Sequence, residues 1–199
     1  MKKVSSLFVG AMMILTAACA TSVDRIDTGE AIDLSGKWND TDSRLVSEKM
    51  IQEALENPWL RRFRGDSDGK LPVVIVGTVV NRSHEHINIQ TFVKDLERAF
   101  VNSGEVNLVA GRSEREEIRD ERKDQASHSS EETAKSEGLE KGADYMLKGS
   151  INTIEDREGR TSVRFYQINL ELINLETNQK AWIGEKKIKK LVKRPLFKL

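Results

Sequence analysis

The chain has 199 residues, of which 38% are hydrophobic and 32% are charged, with 32 basic and 32 acidic side chains. This length suits one domain of ordinary size, and the hydrophobic fraction suffices for a single core. A formal net charge of zero argues against bulk nucleic-acid binding, which needs a basic excess. The single cysteine excludes an internal disulfide framework and every metal site that is built from several cysteines.

The first eighteen residues have the pattern of a secretion signal. Lys2 and Lys3 precede an uncharged run over residues 4–18, which is short for a membrane span but typical of the apolar part of a signal peptide. Small residues directly before Cys19 predict cleavage by a lipoprotein signal peptidase and lipidation of the Cys19 thiol. The alternative is a plain secretory signal with an unrelated cysteine. Ala20 after the cysteine favours export to the outer membrane in a Gram-negative cell.

A short linker is predicted to join this anchor to the folded domain. Residues 19–33 are assigned to the lipid-anchored linker and residues 34–199 to one globular domain. Loss of the signal segment leaves 30 basic and 32 acidic side chains, a net charge of −2. The linker lacks proline and aromatic residues, so it is not stiff, and about fourteen residues span at most ~50 Å.

The first predicted elements are a helix and a central strand. Capping residues precede a predicted helix over residues 41–57, and Trp59, Leu60 and Phe63 are expected to form a short turn on the same core. A loop at residues 66–69 leads to a continuous β-branched run at residues 73–80, which is typical of a strand buried on both faces. The apolar face of the helix is predicted to consist of Leu45, Val46, Met50, Ala54 and Leu55.

The remaining pattern predicts an α/β fold. A helix over residues 91–102 between strands 73–80 and 106–110 is a strand–helix–strand unit, which favours parallel pairing. Two more helical stretches are predicted, followed by three strands joined by turns. The predicted architecture is therefore a single domain with a mixed five-stranded sheet and helices on at least one face. The later elements are helices at residues 112–124 and 131–141 and strands at residues 144–155, 161–175 and 180–191.

Motifs for catalysis are weak. His84 and His86 could form half of a metal site, but no third ligand accompanies them, so a solvated loop is the preferred interpretation. The chain has no nucleophile elbow, no Walker loop and no dinucleotide-binding glycine motif. A glycosidase with paired carboxylates stays open as an alternative, because such pairs meet only in space. The prediction is a protein that is not an enzyme and needs no metal or cofactor.

The helix at residues 112–124 carries eleven charged side chains in thirteen positions. Its basic residues fall within about a third of the circumference at 100° per residue, whereas acidic residues occupy most of the remainder. This basic arc favours an acidic partner. The alternative is a solvated helix held by pairs such as Glu116 with Arg119 or Asp120 with Lys123. The basic arc consists of Arg112, Arg115, Arg119, Arg122 and Lys123.

The carboxyl-terminal end is also basic. Lysines on a terminal strand commonly prevent edge-to-edge pairing, which is the first interpretation. The alternative is contact with an anionic surface such as lipid headgroups or cell-wall polymer. The residues concerned are Lys186, Lys187, Lys189, Lys190, Lys193, Arg194 and Lys198.

Several sequence blocks, in the same order, resemble the LpoB family. They cover residues 33–42, 81–87, 113–119, 142–151 and 182–185. The resemblance implies a monomeric outer-membrane lipoprotein with a fold like the amino-terminal domain of TolB. It also implies that the domain binds the non-catalytic module of a class A, bifunctional penicillin-binding protein and activates this peptidoglycan synthase.

The predicted partner-binding residues lie in two blocks. Asn81, Arg82 and His86 follow the central strand in a polar loop on a rigid scaffold, and Arg115, Arg119 and Arg122 belong to the basic arc.

The linker differs from the family pattern: enterobacterial family members carry a long, proline-rich tether, whereas the linker here is short. The alternative function is a structural or assembly lipoprotein of the envelope, related to curli-secretion lipoproteins.

Overall fold

The structure is a computed structural model that describes residues 22–136 and 138–195. The predicted signal segment and the lipidation site Cys19 lie outside these residues, as does Lys198. The described residues divide into two compact units, of which the first ends at Ala31 and the second begins at Ile32. No described helix is both long and apolar enough to cross a membrane.

The sheet has five strands in the order β2-β1-β3-β4-β5, which confirms the predicted α/β fold. β1 pairs in parallel with β2 and β3, whereas β3, β4 and β5 form an antiparallel meander. The described helices are α1 (Asp40–Glu56), α2 (Pro58–Asp66), α3 (Ile89–Ser103) and α4 (Arg112–His128), and the strands are β1 (Val73–Asn81), β2 (Asn107–Val109), β3 (Tyr145–Glu158), β4 (Thr161–Asn174) and β5 (Lys180–Lys193).

The core lies between one face of the sheet and the helices α1 and α3. Phe92, Leu96 and Phe100 recur every fourth residue along α3 and are fully buried, as their spacing predicts. In β4 every second side chain from Ser162 to Leu172 is buried, whereas the intervening side chains are only half-buried. One face of the meander therefore meets the helices, and the other face is left partly open.

The start of α1 differs from the prediction. Asn39 caps the helix: its side chain accepts from the Asp42 amide at 3.0 Å, and its own amide donates to Asp42 Oδ2 at 3.0 Å. Leu45 does not face the core and is half-exposed, because at 100° per residue it lies about 140° from Met50. Ile51, which the prediction omitted, is buried instead.

Two further predictions are wrong. The stretch over residues 131–141 contains no helix among its described residues. It offers little apolar surface to bury, since Leu139 is exposed, and Gly138 has a φ of 77°, outside the right-handed helical region. The short turn around Trp59 is a full helix, α2, because Asn57 caps it and Pro58 occupies the first helical position.

Candidate functional site

The end of β1 and the loop after it carry three of the six predicted partner-binding residues, since Asn81 is the last residue of the strand and Arg82 and His86 follow it. Asn81 Nδ2 donates to the Glu85 carbonyl oxygen at 2.8 Å, and its Oδ1 accepts from the Ser83 amide at 2.9 Å. The Asn81 side chain therefore shapes the loop that follows it. Arg82 and His86 are exposed. No group of three metal-ligating side chains occurs in the part of the chain that the structure describes.

Glu85, in the same loop, turns inward and organises a polar network that the sequence analysis missed. Its Oε2 accepts from the Tyr166 hydroxyl at 2.9 Å and from the Trp38 amide at 3.1 Å. Its Oε1 lies 3.4 Å from Arg164 Nε. Burial and the neighbouring Glu85 carboxylate raise the pKa of Tyr166, so its hydroxyl stays protonated and can donate at neutral pH.

Residues 32–38 cross the end of the meander and are called the strap. Arg164 Nη1 donates to the Ser35 carbonyl oxygen at 2.9 Å. Lys190, only 10% exposed, donates to Asp33 Oδ1 at 3.0 Å and to Asp42 Oδ2 at 2.6 Å. Since Asp42 also belongs to the α1 cap, one lysine joins the strap, β5 and the start of α1.

The strap fits closely because of a glycine and a tryptophan. Gly36 has a φ of 65°, and a Cβ there would lie 2.2 Å from Val192 Cγ2. The Trp38 ring meets the Tyr166 ring edge-on with centroids 5.6 Å apart, and its Nε1 donates to Ser43 Oγ at 2.8 Å. The block at residues 33–42, which carries part of the family resemblance, therefore forms the strap and the α1 cap.

In the basic arc of α4, Arg119 and Arg122 are already paired with a carboxylate of the same chain, which the sequence analysis did not anticipate. Arg119 binds Glu140 through two contacts, Nε to Oε1 at 2.8 Å and Nη2 to Oε2 at 2.9 Å. Arg122 Nη1 donates to the same Oε1 at 3.1 Å. The sequence analysis missed Glu140 because it lies in a connector that was predicted to be helical. The hydrogen bond from Arg119 lowers the pKa of Glu140 and the same contact raises the pKa of Arg119.

Other contacts fix α4 as an exposed helix. None of its residues is buried. Lys123 pairs with Asp120 at 3.2 Å, as predicted, whereas Glu116 pairs with Arg112 at 3.3 Å instead of with Arg119. Lys94 of α3 binds Glu114 at 2.6 Å, and this hydrogen bond lowers the pKa of Glu114.

The two groups of predicted site residues form separate surfaces. Arg115 and Arg122 lie around Val109 and Ala110 at the end of β2. Val109 pairs with Ile75 of β1, so β1 continues for about 20 Å beyond this level before it reaches Asn81. A partner that contacts both surfaces must therefore span this length.

Comparison with protein-family models identifies the family of this chain. Residues 42–188 match the model of the family described as peptidoglycan-synthase activator LpoB, and this match covers about three quarters of the chain. The chain belongs to the LpoB family. The predicted recognition is confirmed, and the family is one of regulatory activators.

Solved structures give more distant similarities. The LpoB carboxyl-terminal domains from Salmonella enterica and from Escherichia coli are each 18% identical, with 75% of this chain and 99% of theirs covered and a TM-score of 0.44. Lipoprotein GNA1162 from Neisseria meningitidis is 11% identical, with 60% of this chain and 83% of that chain covered and a TM-score of 0.40. Comparison with the curated proteins gave no match.

Proposed function

We propose that this chain is an outer-membrane lipoprotein that binds a class A penicillin-binding protein and activates it. The observation that carries the proposal is the match of residues 42–188 to a family of peptidoglycan-synthase activators. The lipoprotein pattern at Cys19 supports attachment to a membrane. The domain acts as a monomer in the periplasm, without a catalytic group or cofactor of its own.

Activation without catalysis requires differential binding. A protein that binds the active conformation of the synthase more tightly than the inactive one shifts the population toward the active one. The site bound is the non-catalytic module of the synthase, and both glycan polymerisation and peptide cross-linking rise as a result. A factor of ten in activity needs about 1.4 kcal/mol of differential binding, which a small interface can supply.

The partner-binding surface is proposed to include the loop after β1 and the basic arc. Arg82 and His86 are exposed on a loop that Glu85 fixes from beneath, so they are presented without a large ordering cost. Arg119 already binds a carboxylate with two parallel contacts. The same geometry in an intermolecular contact suits an acidic surface on the synthase module.

The experiment combines residues 22–199 with the class A synthase of the same cell, and measures glycan polymerisation from lipid-linked precursor. We expect a several-fold rise in rate and a one-to-one complex in sedimentation. Arg82→Glu together with His86→Glu should weaken both binding and activation. Arg61→Glu, at an exposed arginine of α2, is the matched charge control. Absence of binding and of stimulation would refute the proposal, and formation of rings or large multimers would favour an assembly role.

A further inference from the structure

The β3–β4 hairpin and the end of β5 form a projecting tip, defined here as residues 154–163 and 189–194. Cross-strand pairing places Ile154 opposite Phe165 and Val163 opposite Leu191 on the face that points away from α1 and α3. Directly opposed side chains in a sheet lie close enough to touch. The four residues therefore form one continuous apolar patch at the end of the sheet.

Two residues of this patch are largely exposed to solvent, although their side chains are apolar. Ile154 is 66% exposed and Leu191 is 61% exposed. Leu34 of the strap, 94% exposed, lines a recess of about 370 Å³ together with Leu191 and Lys193. Single exposed apolar residues are ordinary, but a group of them at one end of a domain indicates a contact surface.

The tip has an excess of basic side chains, because five exposed cationic residues outnumber the exposed carboxylates. On the face of the patch, Lys189 and Lys193 flank Leu191, and Asp156 lies opposite Val163. Arg157 pairs with the buried Ser162 and so lies on the other face of the sheet. Aliphatic side chains together with an excess of basic side chains are the combination that binds the interface of an anionic membrane. The five cationic residues are Arg157, Arg160, Lys189, Lys193 and Arg194.

The strap brings the amino-terminal segment to the same corner. Asp33 is held by Lys190 of β5, so the chain that leads back to the predicted lipid anchor leaves the domain beside the tip. With at most ~50 Å of linker, the leaflet that holds the anchor lies within reach of the tip. The anchor also raises the local concentration of lipid, so a weak contact suffices.

We propose that the tip binds the anionic lipid surface of the leaflet that carries the anchor. Ile154, Leu191 and Leu34 enter the headgroup region, and the basic side chains contact lipid phosphates. The aliphatic residues distinguish lipid from a polar cell-wall polymer, because a polar polymer offers them no apolar environment. The tip lies away from the basic arc but close to the loop after β1, since the Arg82 amide donates to the Ile151 carbonyl oxygen at 2.8 Å. The inference is nevertheless tested independently of the synthase, because the vesicle experiment contains none.

The test uses residues 22–199, which contain the whole hydrophobic core, without the lipid anchor. Sedimentation with vesicles of phosphatidylethanolamine and phosphatidylglycerol should recover the protein, and vesicles of phosphatidylcholine should recover much less. Binding should fall as salt rises, because the electrostatic part is screened. Absence of binding to the anionic vesicles overturns the proposal.

Paired variants locate the contact. Ile154→Ser with Leu191→Ser should lower the partition coefficient about fivefold or more. The control is Ile183→Ser, which is 60% exposed on the same face of β5 near its other end. Lys189→Gln with Lys193→Gln should reduce binding and its salt dependence, whereas Lys70→Gln with Lys135→Gln, both exposed and outside the tip, should not.

Two outcomes reassign the contact. If a chain that ends at Pro195 loses binding while the Ile154 and Leu191 variant keeps it, the last four residues bind and the proposal for the tip is wrong. If these variants lose binding to purified peptidoglycan but not to vesicles, the partner is the cell-wall polymer. Unchanged thermal melting of each variant confirms that only the surface has changed.

Discussion

At the scale of single residues, the most demanding position is Arg164. It is only 5% exposed and lies in β4 among apolar side chains that face the core. A buried guanidinium is stable only when anions or carbonyl oxygens replace its water. Glu85, Glu155 and the Ser35 carbonyl oxygen supply this replacement at distances of 2.9–3.4 Å.

Removal of one partner from this network should therefore destabilise the fold. Glu85→Gln is expected to lower the free energy of unfolding by about 2–3 kcal/mol, because it takes the anion from Arg164 and weakens the contact with Tyr166. Urea unfolding followed by tryptophan fluorescence measures the difference. Glu155→Gln is the control, since this more exposed carboxylate meets the same Arg164 and should cost less than about 1 kcal/mol. Equal losses from both variants would contradict the account.

A second residue, Glu140, decides how much of the basic arc is available to a partner. The hydrogen bond from Arg119 lowers the pKa of Glu140 below its ordinary value of 4.5. The ion pair therefore contributes fully to stability above pH 4.5, and this contribution is lost as the pH falls through the lowered pKa of the folded protein. At neutral pH, Glu140 therefore competes with any external carboxylate for Arg119 and Arg122.

Glu140→Gln should free both arginines and raise the association rate with the synthase about two- to fivefold at low salt. Arg119→Gln should lower the association rate. Stopped-flow measurements across a salt series give the association rate of each variant, and Glu131→Gln, in the same connector, controls for the change in net charge. If neither Glu140→Gln nor Arg119→Gln alters the rate, the basic arc is only a solvated face tied to the connector.

At the scale of elements, periodic burial was predictable and tertiary contacts were not. The four-residue spacing in α3 and the alternation in β4 are visible in the sequence, and the side chains that they indicate are the ones buried in the core. The predictions for Leu45 and for residues 131–141 were wrong, because helix propensity alone does not determine which face of a helix, or which segment, packs against the core. Glu85 could not be placed from sequence, since its partners Trp38 and Tyr166 are 47 and 81 residues away.

The strap is the element that depends most on one backbone conformation. Gly36 combines a φ of 65° with no room for a Cβ beside Val192. Gly36→Ala should loosen residues 33–38, with faster amide exchange there and a loss of about 2–3 kcal/mol in stability. Gly69→Ala is the control, because Gly69 has a φ of 76° but open space around it, so it isolates the backbone cost of about 1 kcal/mol. Equal effects would show that the Val192 contact is unimportant.

At the scale of the whole molecule, the strap and the basic arc lie at diagonally opposite corners of the sheet. Val109, beside the arc, is level with Met146, whereas Val192, beside the strap, is level with Arg157. Eleven residues along the strands and four strand spacings across them give a separation of about 40 Å. The folded domain therefore adds this length to the reach of the linker.

Reach from the anchor should consequently limit activity in the cell but not in solution. Deletion of residues 22–29 shortens the maximum span by about 27 Å and removes no residue from Ile32 onward, where the core lies. We expect the lipidated deletion variant to lose synthase activation in cells, measured as incorporation of labelled peptidoglycan precursor. The same deletion in the purified chain without lipid should activate as the full sequence does. Replacement of the eight residues by Gly and Ser should restore function, because only the span matters.

Cys19→Ser tests the anchor itself: the precursor should stay uncleaved and take up no palmitate. A deletion variant that activates normally in cells would show that the partner lies close to the anchoring leaflet, and a Cys19→Ser chain that still matures and labels would refute the lipidation site.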